Sequence, residues 1–234
     1  MKNKLILALT LGVFTYHLSA APTTVAEWNF NSFGSTSDSN GFGETLLADA
    51  GSGSLFVQSA TTTGTNFRRD AGNGTTLGAT EDTVAGGMID LRRGERWNNG
   101  YLDFSFDMTG LDSLTFSFAG NITASFPITT TLQWSNDGGD NFTNFETLTH
   151  ADDSPTNSFS LFSYSYTNPD FGFSNLDNAE NAVIRFQFSG DGGLGSSGSG
   201  FSIDNVVITA IPEPGTLALV AIALGSLALF RRRK

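Results

Sequence analysis

The sequence predicts an all-β chain, a single antiparallel β-sandwich of the jelly-roll kind, flanked by an N-terminal signal peptide and a C-terminal transmembrane helix. Three observations carry this expectation. Apolar and polar residues alternate with a period of two, Gly, Asn, Asp and Ser clusters punctuate the runs, and no amphipathic helix of normal length intervenes. Two antiparallel sheets packed face to face satisfy all three.

The N-terminus supplies a basic start in Lys2 and Lys4, an apolar stretch over 5–13, and the small residues Ser19, Ala20 and Ala21. That order is a secretory signal peptide, assigned to 1–21 and cut by signal peptidase. The body then occupies 22–210. Its clearest strand is 101–108, where Leu102, Phe104, Phe106 and Met108 alternate with Tyr101, Asp103, Ser105 and Asp107. Leu114, Phe116 and Phe118 repeat the pattern after a turn at Thr109 and Gly110. Further strands are expected at 24–29, 83–90, 129–135, 142–148, 158–164, 182–189 and 201–210. A short helical turn is expected at 175–179, capped by Asn175. Two low-complexity loops, 31–43 and 191–200, lie outside the core.

Composition excludes several functions. Of the 12 Lys and Arg, six lie in the end segments (Lys2, Lys4, Arg231, Arg232, Arg233, Lys234), so the body keeps six arginines, no lysine, and nearly all of the 23 acids. Such a field repels phosphate backbones, which argues against nucleic acid as a partner. The chain has no cysteine, which removes disulfides, thiolate nucleophiles and Cys-ligated zinc. Stability must come from an apolar core, to which phenylalanine, with 21 residues in the whole chain, is the main contributor. After the signal peptide only His150 remains as a histidine, and no nucleophile elbow, zinc-protease helix or phosphate loop occurs. The chain therefore reads as non-enzymatic. A carboxylate pair for glycoside hydrolysis has no fixed spacing, so a surface glycoside hydrolase or lyase stays open as an alternative.

Ser135, Asp137, Gly139 and Phe142 have the spacing of the Asp box, Ser-x-Asp-x-Gly-x-x-aromatic. The pattern needs a short acceptor at Asp137, a φ-permissive residue at Gly139 and a core-directed ring at Phe142. It resembles the turns that brace sialidases away from their active sites, and the expected role is structural. Arg92, Arg93, Arg96 and Trp97 put half the body's cations beside an aromatic ring. Such a cluster can stack on a sugar and pair with its acidic groups, or pair with Asp90 and Glu95.

The C-terminal segment, 211–234, has three parts in sequence. Pro212, Glu213 and Pro214 fix φ and remove backbone donors, so the tripeptide is expected to stay outside sheet and helix, extended and accessible. From 216 to 230 every residue is apolar or small, about 22 Å of helix against a hydrocarbon core of ~30 Å. Arg231, Arg232, Arg233 and Lys234 then hold the end in the cytoplasm.

This order of parts resembles the PEP-CTERM sorting signal of exported bacterial proteins. The resemblance implies processing by the membrane enzyme exosortase, a membrane-anchored precursor, and a final place in the cell envelope or extracellular matrix, with exopolysaccharide and biofilm as the setting. The body resembles jelly-roll modules found ahead of such signals, related in architecture to carbohydrate-binding modules, which makes a carbohydrate-binding module the first alternative and surface polysaccharide a partner. In many such modules an aspartate on the last strand helps hold a structural calcium. Here the resemblance implies Asp204 with Glu27 or Asn29 as oxygen ligands. The other account has Asp204 and Asn205 hydrogen-bonding a neighbouring loop. No other cofactor is implied.

Overall fold

A computed structural model describes residues 20–32, 37–39, 41–62, 67–71, 73–80, 86–92, 96–122, 129–148, 158–190 and 199–213. The expected signal peptide before residue 20, the expected transmembrane helix and basic tail, Arg93, Pro214, His150 and residues 191–198 lie outside them. Among the described residues the chain forms β1 (Thr23–Trp28), β2 (Ser37–Ser39), β3 (Phe42–Leu47), β4 (Ala50–Gly51), β5 (Gly53–Gln58), β6 (Phe67–Ala71) and β7 (Gly87–Arg92). There follow β8 (Tyr101–Phe106), β9 (Leu111–Ile122), β10 (Thr129–Ser135), β11 (Thr143–Leu148), β12 (Ser160–Ser165), β13 (Ala182–Ser189) and β14 (Ser199–Pro212). All pairings are antiparallel, in a six-stranded sheet β11-β10-β13-β8-β5-β3 and an eight-stranded sheet β12-β9-β14-β7-β6-β2, with β1 joining β14 to β4.

The all-β sandwich is as expected. Alternation does what the period demands: β8 turns Leu102, Phe104 and Phe106 inward and leaves Tyr101, Asp103 and Ser105 half-buried on the outer face. Phe186 on β13 is the hub between the layers. Its ring centroid lies 5.0 Å from Phe118 and 5.9 Å from Phe116 on β9, and 5.5 Å from Phe104 in its own sheet. Edge-to-face contacts of this kind add to plain area burial.

Four features differ from the sequence reading. Strands β2 to β6 occupy stretches read as loop or left unassigned; in β5, for one, glycines and serines surround only two buried alternating residues, Leu55 and Val57. Strand β9 begins three residues early, since Ser113 sits at φ 59 and interrupts the alternation. The expected helical turn is instead two 3-10 turns, Pro169–Phe171 and Phe173–Leu176. Asn175 lies inside the second and donates to Gly172 O at 2.8 Å, so it caps nothing N-terminal. Finally, β14 continues through Pro212, and the compact unit runs from Ala21 to Glu213.

Strand β14 organises the larger sheet. One of its edges pairs with β9 along most of its length; the other pairs first with β7, through Ile203, and then with β1, from Val206. The change of partner coincides with a β-bulge between Asp204 and Val207, where Asn205 adopts φ 46. That bulge explains two polar residues in an otherwise apolar strand.

Candidate functional site

The junction between the folded body and the C-terminal segment is built from two turns and the end of β14. Asp107 Oδ1 accepts from Thr109 N at 2.8 Å and closes the β8–β9 turn, at whose apex Gly110 takes φ 72. Asn178, after the second 3-10 turn, sits at φ 59 and donates its backbone N–H to Leu111 O at 3.0 Å. Its side-chain oxygen accepts from Gly110 N at 2.9 Å and its Nδ2 donates to Glu213 Oε1. Glu213 N donates to Gly110 O at 3.0 Å, and Pro212 lies opposite Leu111. Pro212 and Glu213 are therefore not free of the sheet, which corrects the sequence expectation. The missing proline N–H is tolerated because β1 has ended at Thr23, opposite Ala210, leaving Pro212 a single strand neighbour. Asn178 was not legible as a partner; only the turn-prone Asp177-Asn178 pair hinted at its backbone conformation.

The Asp-box turn is dense in hydrogen bonds. Ser135 Oγ donates to Asp137 Oδ1 at 2.5 Å and accepts from Gly139 N at 3.0 Å; Asp137 accepts from Asp140 N, Asn141 N and Asn141 Nδ2 at 3.1, 3.0 and 2.7 Å. The Ser135 and Asn141 bonds hold the Asp137 carboxyl well below the usual carboxylate range. Gly138 and Gly139 take φ 78 and 98. Phe142 is not core-directed as expected. It is half-buried on the outer face, its ring centroid 3.8 Å from the Arg185 guanidinium, which sits over the ring.

The residues considered for calcium hold loops. Asp204, fully buried, accepts from Thr75 N at 2.6 Å through Oδ2 and from Asn205 N at 2.8 Å through Oδ1. Asn205 Nδ2 donates to Thr75 O at 2.6 Å and Leu77 O at 3.1 Å. Glu27 Oε2 accepts from Thr80 Oγ1, and Asn29 Oδ1 from Asn31 N at 3.1 Å. The loop 73–80 is thus fastened by β1 and β14. These oxygens serve N–H and O–H donors, and no three His, Asp or Glu side chains converge among the described residues. The donor set as placed does not fit a Ca²⁺ shell of about six to eight oxygens.

Of the basic cluster, Arg92, Arg96 and Trp97 are among the described residues. Trp97 is fully buried, its Nε1 donating to Arg92 O at 3.1 Å and its ring 5.5 Å from Phe188 edge-on, so it offers no face to a sugar. This corrects its candidacy as a glycan contact. Arg92 pairs with buried Asp90 at 3.2 Å. Arg96 is half-buried and receives Ala60 N on its carbonyl.

Residues 210–234 match the model of the PEP-CTERM protein-sorting motif. None of the curated proteins compared with the chain matches it. Among solved structures, the xylan-binding module CBM15 is 13% identical over 65% of this chain and 94% of its own, with a TM-score of 0.35. The CBM6cm-2 module of Cellvibrio mixtus lichenase 5A, solved with cellotriose, is 10% identical over 71% and 95%, at 0.35. The K1 cleaved adhesin domain of Porphyromonas gingivalis Lys-gingipain is 14% identical over 75% and 98%, at 0.38. No helix among the described residues is long and apolar enough to cross a membrane. This chain is an all-β sandwich whose last strand leads directly into a PEP-CTERM protein-sorting motif.

Proposed function

We propose that the chain is a non-enzymatic protein of the cell envelope or extracellular matrix, sorted by its C-terminal motif and released by exosortase from a membrane-anchored precursor. The observation that carries the reading is the motif at 210–234, with Pro212, Glu213 and Pro214 at its head. Signal peptidase acts first, at the N-terminal segment. The apolar run before Arg231 tethers the precursor, and the lasting partner is surface polysaccharide in an exopolysaccharide or biofilm matrix. A body without cysteine has no thiolate chemistry, and its sequence carries no nucleophile elbow, zinc-protease helix or phosphate loop, which supports a binding or structural role.

The test expresses the full chain in a PEP-CTERM host with and without its exosortase, followed by fractionation and intact mass. The expected result is a mature form lacking both end segments in the complete host and a membrane-retained form ending at Lys234 without exosortase. Identical masses in the two hosts would overturn the reading. Turnover of a polysaccharide by the mature protein, lost on replacing a carboxylate pair, would replace it with a hydrolase or lyase.

A further inference from the structure

We propose that Gly110 and Asn178 form an intramolecular receptor for the sorting glutamate, a clasp that must open before the processing enzyme engages Glu213. The proposal rests on the reading of 210–234 as an exosortase signal.

A single side-chain amide reads two partners at once. Asn178 Oδ1 takes the Gly110 N–H at 2.9 Å while its Nδ2 is given to the Glu213 carboxylate, and Gly110 O takes Glu213 N at 3.0 Å. The three residues close a ring of hydrogen bonds, and the backbone of Asn178, tied to Leu111 O at 3.0 Å, aims the amide. Pro212, opposite Leu111, and Ile211, opposite Asp112, continue the attachment into the sheet. An enzyme that reads the motif as an extended peptide competes with every one of these contacts.

The same junction favours release. Burial, opposed by a hydrogen bond from Ser113 N, pushes the Asp177 carboxyl up, and the charges of Asp112 and Glu213 push it further. The Glu213 carboxylate is thus held by one amide donor among like charges. Removing one exposed hydrogen bond shifts an opening equilibrium by about two- to tenfold.

Two measurements on the full chain test the clasp. In detergent, amide exchange at Glu213 N–H is expected to quicken about two- to tenfold in Asn178→Ala, and not in Asn175→Ala on the neighbouring turn. In an exosortase-bearing host, pulse-chase conversion of the precursor is expected to quicken by a similar factor in Asn178→Ala, and by at least as much in Asn178→Asp, which sets a carboxylate against Glu213. A Gly-Ser-Gly-Ser insertion between Ile211 and Pro212 frees the motif without touching Asn178 and is expected to have the same effect. Unchanged exchange in Asn178→Ala, or equal conversion of wild type, Asn178→Ala and the insertion, would overturn the clasp while leaving the sorting reading intact. A wild-type precursor that exosortase never converts would overturn both.

Discussion

Arg185 and Asp103 face each other across the β13–β8 ladder and share two hydrogen bonds of 2.6 Å, Nε to Oδ1 and Nη2 to Oδ2. The guanidinium also lies 4.0 Å from the Tyr101 ring centroid and 3.8 Å from that of Phe142. With side-chain exposures of 17% and 14% the pair is largely shielded from salt. Arg185→Ala is expected to cost about 2–3 kcal/mol, and Arg185→Lys to recover less than half, because an ammonium neither forks onto a carboxylate nor stacks flat between rings. Urea titration of the three proteins measures this; full recovery by lysine would show that charge alone is what matters.

Asp137 ties its turn together only while ionised. Its carboxyl is held below the ordinary value of 3.8, so its contribution is complete above that value and fades as pH falls through the lowered one. The melting temperature of Asp137→Ala is therefore expected to lie below wild type at pH 7, with the gap unchanged to about pH 5 and shrinking in stronger acid. Thermal melts from pH 7 to pH 2 give the comparison. A gap that widens in acid would contradict the assigned hydrogen bonds.

Loop 73–80 hangs on Asn205. Removing its two carboxamide bonds in Asn205→Ala is expected to cost about 2–4 kcal/mol and to open the loop to protease. Asn205→Gly is expected to lose less, since glycine adopts φ 46 freely. Because Asp204, Glu27 and Asn29 serve protein donors, EDTA is expected to leave the melting temperature unchanged. A chelator-induced fall reversed by Ca²⁺ would show that those oxygens hold metal.

Trp97 belongs to the core, so Trp97→Ala is expected to lose about 3–5 kcal/mol and Trp97→Phe about 1 kcal/mol, the latter for its bond to Arg92 O. Any polysaccharide binding by the mature protein is expected to survive Trp97→Phe. Its loss at unchanged melting temperature would return the ring to a contact role.

How far the chain could be read in advance depended on the range of the interactions. Strands β10 and β13 were legible to the residue because Leu132 and Trp134, and Ile184, Phe186 and Phe188, alternate without interruption. The Asp-box turn was legible because its donors and acceptors lie within four residues of Asp137. The Glu213 clasp was not, since Asn178 is 35 residues away and its backbone conformation is set by a turn that packs against β9. Trp97 was misread because its neighbours are charged; one carbonyl, from Arg92, satisfies the indole N–H and lets the ring enter the core. Proline at 212 was misread because proline disrupts a strand only where its missing donor is needed.

The strand that β1, β7 and β9 all lean on is the last of the described strands to be synthesised. A nascent polypeptide emerging N-terminus first carries three bare edges until residues 199–212 arrive, and those edges are open to other chains in the meantime. Chains ending short of that point lack the strand that joins β9 to β7 and β1, and those edges stay unpaired. A chain long enough to shut its larger sheet has already reached the head of its own sorting motif.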